Sequence, residues 1–172
     1  PTRKIMINAT IIISFYNNLP FLRAVLAGFD GKQKTFELII SDDGSSTEIV
    51  DQIKLFINQY SFSIKHIWHP DKGWQKHKVL NQALRESQAP YLIFVDGDCI
   101  PHRAFVAEHL KNSGEKTILT GRRTWLSERF SKGLEPNLIK DGLLVNPLIH
   151  IRNKSWQWEN CIDLGHSFLS RF

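Results

Sequence analysis

The stretch Tyr91-Leu92-Ile93-Phe94-Val95-Asp96-Gly97-Asp98-Cys99-Ile100-Pro101 decides the fold. Its five apolar residues have no polar break and predict a strand buried on both faces, as in the middle of a parallel sheet. The strand ends on two carboxylates that one glycine separates, and Pro101 then favours the start of a helix. Since open α/β sheets bind ligands beyond the carboxyl ends of their strands, a binding site is expected at Asp96 and Asp98.

Two carboxylates this close repel each other unless a cation or several hydrogen-bond donors offset their charge. Hard divalent cations prefer oxygen ligands, so a metal ion carrying phosphate oxygens is the ligand that this pair predicts. The alternative is a helix N-cap at Asp98, because acids are favoured at helix starts. A cap explains Asp98 but gives no reason for Asp96 or Gly97.

A second acidic loop, Ser41-Asp42-Asp43-Gly44-Ser45-Ser46, follows another apolar run. Ser45 and Glu48 have the spacing of a capping box, which predicts a helix from there to about Tyr60. Further strands are predicted at 10–14, 36–40, 62–68 and 117–120, and further helices at 19–27 and 102–111. Between 69 and 90, a loop leads into a helix expected to turn Trp74, Leu80, Ala83 and Leu84 toward the sheet, with Lys76, Lys78 and Arg85 in water.

The alternation of strand and helix up to Gly121 indicates parallel βαβ units with right-handed crossovers. The predicted fold class is therefore α/β, with a mostly parallel central sheet flanked by helices. Beyond Gly121 the alternation fades. Leu138-Ile139 and Leu143-Leu144-Val145 fit either short helices or short strands, and the Trp156-Gln157-Trp158 segment has no clear secondary-structure preference.

Composition favours one cytosolic domain. The chain has 172 residues, of which 42% are hydrophobic, and a net charge of +5, which suits anionic ligands but is too diffuse to indicate nucleic acid. Cys99 and Cys161 lack C-x-x-C spacing, so neither a disulfide framework nor a zinc site is expected, and a reducing compartment fits. No run reaches the roughly 18–20 apolar residues of a membrane span, and the start lacks a signal-like block, so any membrane contact is expected to be peripheral.

Three motifs occur in order at predicted strand ends: Ile12-Ile13-Ser14-Phe15-Tyr16-Asn17, Ser41-Asp42-Asp43-Gly44-Ser45 and Asp96-Gly97-Asp98. In these motifs the first 125 residues resemble the family 2 glycosyltransferases, inverting enzymes of the GT-A (Rossmann-like) fold that use nucleotide sugars, commonly UDP-sugars. Lys72-Gly73-Trp74, followed by Lys78 and Asn81, is similar to the segment that precedes the D-x-D strand in that family. The run 94–101 is similar to the branch with bacterial polysaccharide and chondroitin-type synthases.

The resemblance implies a role for each matching residue. It implies that Asp42 hydrogen-bonds the uracil edge with Asp43 close by, and that the backbone at Phe15 and Tyr16 lines the base pocket. It further implies that Asp96 and Gly97 lie near the ribose or donor sugar, that Asp98 ligates Mn²⁺ or Mg²⁺, and that Lys78 adds positive charge near the diphosphate. Judged alone, Asp42-Asp43 also fits an Asx-type turn, Tyr16 an ordinary rim aromatic, and Lys78 a solvated helix residue.

The resemblance also implies that residues 1–125 form the nucleotide-sugar-binding half and that residues 126–172 are the start of an acceptor-side region. An inverting transferase needs a general base for the acceptor hydroxyl, which the family supplies from a Glu-Asp-type motif. Gly165-His166-Ser167-Phe168 resembles only the approach to that motif, and no adjacent Glu-Asp pair occurs. A truncated chain is therefore expected, with the base beyond Phe172 and none of Glu128, Glu135, Asp141, Glu159 or Asp163 assigned to it.

The expected partners are a nucleotide-sugar donor and a saccharide or glycolipid acceptor. Trp156 and Trp158 could stack on an acceptor sugar, and the alternatives are core packing or a truncated interface. His66 and His69 have poor spacing for a metal site. The alternatives to a transferase in polysaccharide or lipopolysaccharide synthesis are a non-catalytic nucleotide-sugar-binding module and a haloacid-dehalogenase-like phosphotransferase, whose D-x-D motif would follow the first strand rather than the fourth.

Overall fold

The structure, a computed structural model, describes residues 7–29, 35–157 and the backbone of 169–171. The chain forms two compact units, each described by itself below. The first comprises Pro1–Arg23 and Lys32–Cys99, and the second comprises Ala24–Gly31 and Ile100–Phe172. The functional division predicted near residue 125 stays a prediction.

The first unit contains a parallel sheet with the strand order β3-β2-β1-β4. Its strands are β1 (Ala9–Phe15), β2 (Phe36–Asp42), β3 (Ser63–Trp68) and β4 (Tyr91–Asp96), and its helices include α2 (Thr47–Ile57) and α3 (Lys76–Glu86). Helix α1 (Leu19–Phe29) begins in this unit and ends in the second. The predicted fold class, a parallel central sheet flanked by helices, is confirmed.

Strand β1 lies inside this sheet because it is apolar on both faces. Ile11, Ile12 and Ile13 are completely buried, and branched side chains of this kind pack well on a pleated sheet. Ile12 shares a cluster with Ile39 of β2 and Val79 of α3, so the helix packs against the strands through apolar side chains. Burying one such side chain contributes about 1.5–3 kcal/mol to the free energy of folding.

The prediction that β4 is buried on both faces in the middle of the sheet is wrong. Among the described residues β4 pairs only with β1 and forms an edge of the four-stranded sheet. Ile93 and Val95 are buried, whereas Phe94 is 55% exposed. The strand therefore has one buried face, and an apolar residue on its other face made the run look like a central strand.

A buried hydrogen-bond network fixes where β4 begins beside β1. The Glu37 carboxylate accepts from the Thr10 hydroxyl and from the backbone N–H of Gln88, both at 2.6 Å. The Ala89 N–H donates to the Thr10 hydroxyl oxygen at 3.2 Å. Since a buried carboxylate needs such partners, the network sets the register that pairs Ala9 with Tyr91 and brings Asp96 beside Ser14.

Two local predictions about the helices are also wrong. Helix α2 begins at Thr47 with Ser46 as its N-cap, and the Ser45 hydroxyl instead accepts from the Asn17 N–H at 2.8 Å, so no Ser45–Glu48 capping box forms. Trp74 precedes α3 and is 82% exposed, so it does not face the sheet. Val79 and Ala83 are the buried residues of that helix.

The second unit is mainly helical. Its elements are α4 (Phe105–Asn112), β5 (Leu119–Gly121), α5 (Glu128–Lys132), α6 (Pro136–Lys140), a 3₁₀ turn (Leu143–Val145), α7 (Pro147–Arg152) and β6 (Leu169–Arg171). Strand β5 pairs antiparallel with β6 in a separate two-stranded sheet, so the expectation that it continues the parallel pattern is wrong. Both ambiguous leucine-rich segments are helical, and Ile139 packs with Ala24 and Ala27.

Within the described ranges, no helix combines the length and the apolarity that a membrane crossing requires.

His109 makes the second unit sensitive to acid. It is 5% exposed in α4, with its ring 4.5 Å from that of Phe105, and burial lowers its pKa to about 4. The unfolded chain takes up this proton near pH 6.5, so the free energy of unfolding should fall between pH 6.5 and 4, by at most about 1.4 kcal/mol per pH unit. Urea denaturation across this range measures the slope.

The matched control replaces an exposed histidine. His109→Leu should flatten the slope between pH 6.5 and 4, whereas His77→Gln, on the exposed side of α3, should leave it unchanged. An unaltered slope in His109→Leu would show that other groups control acid stability.

Candidate functional site

The two acidic loops lie at the same edge of the parallel sheet. In the strand register, Phe15 at the end of β1 pairs with Asp42 of β2, and Ser14 pairs with Asp96 of β4. The carboxyl ends of three neighbouring strands therefore bring the predicted residues together, as expected for a ligand site of an open parallel sheet.

Asp42 is completely buried, and both of its carboxylate oxygens have partners. Oδ1 accepts from the Ser45 N–H at 2.9 Å, and Oδ2 lies 2.9 Å from Nε2 of His66. Because a carboxylate can only accept, this His66 nitrogen carries the proton. Asp42 thus holds the turn 42–45 in place and does not face solvent.

Asp43 joins its loop to the segment before α3. It is 9% exposed and accepts from the Gln75 N–H at 3.1 Å and from Nε2 of His69 at 3.1 Å. The next residue must be glycine, because Gly44 has φ +94° and a Cβ there would lie 2.7 Å from Cα of Asp71. The Asp-Gly pair is therefore required by the close approach of the 69–75 loop.

Phe15 and Tyr16 lie at the start of the neighbouring loop. The Phe15 carbonyl accepts from the Asp43 N–H at 3.0 Å, and its side chain is buried. Tyr16 is 52% exposed and its hydroxyl donates to Asp71 at 3.1 Å, a hydrogen bond that raises the pKa of the phenol. The Tyr16 side chain is thus held through its hydroxyl at the rim of the sheet edge and is about half exposed.

Asp96, Gly97 and Asp98 form a tight turn at the end of β4. The Cys99 N–H donates to the Asp96 carbonyl at 3.0 Å, which closes the turn. Potential ligand atoms of Asp96, Asp98 and Cys99 all lie within 4.8 Å of one another. Two carboxylates in this arrangement fit Mn²⁺ or Mg²⁺, which favour oxygen ligands, better than a soft metal ion, although the adjacent thiol is a softer donor.

Lys76, rather than Lys78, contacts this turn. The Lys76 ammonium lies 3.4 Å from Oδ1 of Asp96, in a half-exposed ion pair. Lys78 is exposed and lines a cleft of about 460 Å³ along α3, together with His69 and Arg85. Of the two lysines, Lys76 therefore adds positive charge beside the Asp96-Gly97-Asp98 turn, whereas Lys78 adds it to the cleft along α3.

Sequence reasoning missed His66, His69 and Lys76 as members of this site. No local sequence pattern identifies these residues. His66, for example, comes close to Asp42 only because β2 and β3 are parallel neighbours in the sheet. The Gly165–Phe168 segment and Glu159, Cys161, Trp158 and Asp163 lie outside the described residues.

A family model and several known proteins match this chain. The model described as "Glycosyl transferase family 2" matches residues 10–172. Chondroitin synthase of Escherichia coli is 25% identical over 177 aligned positions, which cover 93% of this chain and 25% of that protein. The chain thus spans about a quarter of the length of that relative.

Two solved structures have a similar fold. S. aureus TarS is 19% identical with a TM-score of 0.50, and the match covers 61% of this chain and 32% of the TarS chain. The mannosyltransferase PcManGT from Pyrobaculum calidifontis is 14% identical with a TM-score of 0.53, and the match covers 97% of this chain and 44% of that one. At these identities the likeness concerns the fold alone.

The family match covers nearly the whole chain and includes every acid of the sheet edge. It is incompatible with the haloacid-dehalogenase-like alternative, whose D-x-D motif follows the first strand, whereas here it follows β4. The chain belongs to glycosyl transferase family 2.

Proposed function

We propose that this chain binds a nucleotide sugar, most simply a UDP-sugar, and serves the transfer of that sugar to a saccharide or glycolipid acceptor with inversion. The observation that carries the proposal is the meeting of the Asp42-Asp43 loop and the Asp96-Gly97-Asp98 turn at one edge of a parallel sheet. The name of the chondroitin synthase relative supports a role in cell-surface polysaccharide or lipopolysaccharide synthesis. A cytoplasmic location with at most peripheral membrane contact is part of the proposal.

The proposed roles follow from the exposure of each side chain. Both oxygens of each carboxylate have partners, but Asp43 is the better candidate for a hydrogen bond to the base, because its side chain is 11% exposed whereas that of Asp42 is fully buried. Asp42 then acts as a positioning residue for its loop, and Tyr16 offers an exposed aromatic face to the base. Asp96 and Gly97 lie on the side of the ribose or donor sugar, and Lys78 and Lys76 provide positive charge for the diphosphate.

Asp98 and Asp96 are the proposed ligands of Mn²⁺ or Mg²⁺. Asp98 is exposed, and its ligand atom lies within 4.8 Å of that of Asp96, so both carboxylates can reach one cation. When bound, such a cation supplies positive charge that offsets the charge growing on the diphosphate leaving group. PcManGT, whose structure contains GDP-Man and Mn²⁺, is consistent with a cation in this fold.

A thermal-shift screen tests the donor site. UDP with Mn²⁺ at about 100 times its Kd should stabilise the protein by about 2.7 kcal/mol, which corresponds to a Tm increase of about 5–10 °C for a chain of this size. UDP-sugars, GDP-sugars and inorganic phosphate are compared with and without Mn²⁺. An unchanged Tm with every nucleotide diphosphate would contradict the donor-site assignment.

The second candidate is a non-catalytic nucleotide-sugar-binding module. It is favoured by one observation, that the sequence contains no adjacent Glu-Asp pair of the kind expected to supply the general base of an inverting transfer. Both candidates predict donor binding, so the distinguishing measurement is hydrolysis or transfer of a UDP-sugar in the presence of Mn²⁺. Turnover above the buffer rate supports the transferase, and binding without turnover supports the module.

A further inference from the structure

Two exposed tryptophans form a cross-strand pair in the second unit. Trp125 and Trp156 exchange backbone hydrogen bonds of 2.9 and 2.8 Å in an isolated antiparallel bridge. Residues directly opposite in such a pair project their side chains to the same side, with Cβ atoms about 4.5–5.5 Å apart. The two side chains are 54% and 66% exposed, so both indoles lie largely in solvent on the same side of the bridge.

The backbone beneath this pair is fixed by buried polar contacts. His150 is 1% exposed, and its Nε2–H donates to the Leu144 carbonyl at 2.8 Å. Its Nδ1 is hydrogen-bonded to the hydroxyl of Ser155, 3.2 Å away and immediately before Trp156. The Thr124 hydroxyl donates to the Gln157 carbonyl at 3.1 Å on the other side of the bridge. The indoles thus project from a pre-organised support, which lowers the entropy cost of binding a ligand.

The segments that carry the pair are strongly basic. Residues 116–127 and 147–157 contain five lysines and arginines and no aspartate or glutamate. These basic residues are all exposed: Lys116, Arg122, Arg123, Arg152 and Lys154. Glu115 and Glu128 lie just outside the first segment, but the two segments together still carry an excess of positive charge, which favours a ligand that carries negative charge.

We propose that Trp125 and Trp156, with the flanking arginines, form a binding platform for an acidic saccharide chain. The flat indole faces suit the apolar faces of pyranose rings, and the arginines suit the carboxylate or sulfate groups of the same chain. Its use as the acceptor strand rests on the proposed transferase function, whereas the binding itself does not. A membrane with anionic lipids is the competing ligand, because Leu148 and Ile151 of α7 are also exposed.

The polar support distinguishes the two ligands. A membrane surface would be contacted through a broad apolar face, whereas here the partly exposed polar residues Thr124 and Gln157 are chain neighbours of the two tryptophans. A saccharide, which alternates apolar ring faces with hydroxyl groups, matches such a mixed surface better than acyl chains do.

The test measures binding of an unsulfated chondroitin decasaccharide to the full chain by isothermal titration calorimetry. Trp125→Ala and Trp156→Ala should each weaken binding about tenfold, and the Phe variants, which keep a flat ring, should weaken it less. Arg122→Gln combined with Arg152→Gln should reduce binding severalfold and make it less sensitive to NaCl. Leu55→Ala, which removes a more exposed apolar side chain in the first unit, should have no effect.

Melting temperatures and a vesicle-binding assay make the outcome decisive. A melting temperature unchanged by Trp125→Ala and Trp156→Ala shows that lost binding is not lost folding. Failure of the wild-type chain to bind the decasaccharide, or binding that survives both Ala variants, would overturn the platform. Tryptophan-dependent binding to vesicles with 30% phosphatidylserine, without decasaccharide binding, would assign the surface to membranes instead.

The UDP and Mn²⁺ thermal shift separates this inference from the proposed function. A platform variant that loses the decasaccharide but keeps the UDP-dependent shift supports both. Decasaccharide binding in a chain that shows no shift with any nucleotide supports the platform and contradicts the transferase. A nucleotide shift without decasaccharide binding contradicts the platform alone.

Discussion

Asp98→Asn should abolish the part of nucleotide-dependent stabilisation that requires Mn²⁺. The substitution keeps the shape of the side chain but removes the charge of one of the two carboxylates that can reach a common cation. Asp98 is exposed, so the apo protein should keep its stability to within about 0.5 kcal/mol. In a thermal-shift titration of UDP with Mn²⁺, the expected gain of about 5–10 °C should fall to the value measured with EDTA.

The matched control for this substitution is Asp51→Asn. Asp51 is an exposed carboxylate on α2 that pairs with Lys54 at 2.9 Å, so its loss changes the net charge equally without touching the sheet edge. The Mn²⁺-dependent shift should persist in this variant. If Asp98→Asn also keeps that shift, the metal ligand lies elsewhere and the assignment of the D-x-D turn is wrong.

The strands could be predicted because their apolar runs are long and end on turn residues. The predicted run 36–40 falls within β2, and the predicted run 10–14 within β1, each short by one or two residues at its ends. The position of a strand within the sheet could not be predicted in this way. It depends on which strands pair, and Phe94 shows that an apolar side chain does not by itself report burial.

The acids of the candidate site could be predicted from the rule that parallel strands end at one edge of their sheet. Their hydrogen-bond partners could not, because those contacts depend on how β3 and the segment 69–76 align with β2 and β4. Acids that follow parallel strands meet at one sheet edge, so Asp42, Asp43, Asp96 and Asp98 could be grouped from the chain alone. The partners of these acids come from β3 and from the loop and helix after it. Their contacts depend on the register of β3 and on the conformation of residues 69–76, which local patterns do not report.

The sequence pattern also could not predict which lysine of α3 contacts Asp96 and which lines the 460 Å³ cleft along the helix. The helical pattern placed both Lys76 and Lys78 in water, since neither occupies an apolar position. Helix α3 begins at Lys76, and this starting position places the Lys76 side chain, and not that of Lys78, next to Asp96. A shift of two residues rotates a side chain by about 200° around the helix axis, so an error of this size at a helix end exchanges the two roles.

Gly97→Ala should damage both the fold and the proposed metal site, because this glycine is needed for close packing. A Cβ at this position would lie 2.5 Å from the Ser14 carbonyl oxygen, a backbone atom that cannot move away easily. Strand β1 is paired with β2 on one side and β4 on the other, so the turn must shift instead. We expect a loss of about 1–3 kcal/mol in the free energy of unfolding and a separation of the Asp96 and Asp98 carboxylates.

The matched control is Gly133→Ala, where the new Cβ would meet only backbone oxygens at 3.8 Å, an ordinary contact. This change should be neutral or slightly stabilising, because alanine has less conformational entropy to lose on folding. Urea denaturation and the Mn²⁺-dependent UDP shift measure the two effects separately. If Gly97→Ala kept wild-type stability and the full shift, the turn would tolerate a side chain. The contact with Ser14 would then not be the reason for glycine between the two acids, and a backbone requirement of the bound diphosphate would be the explanation to test next.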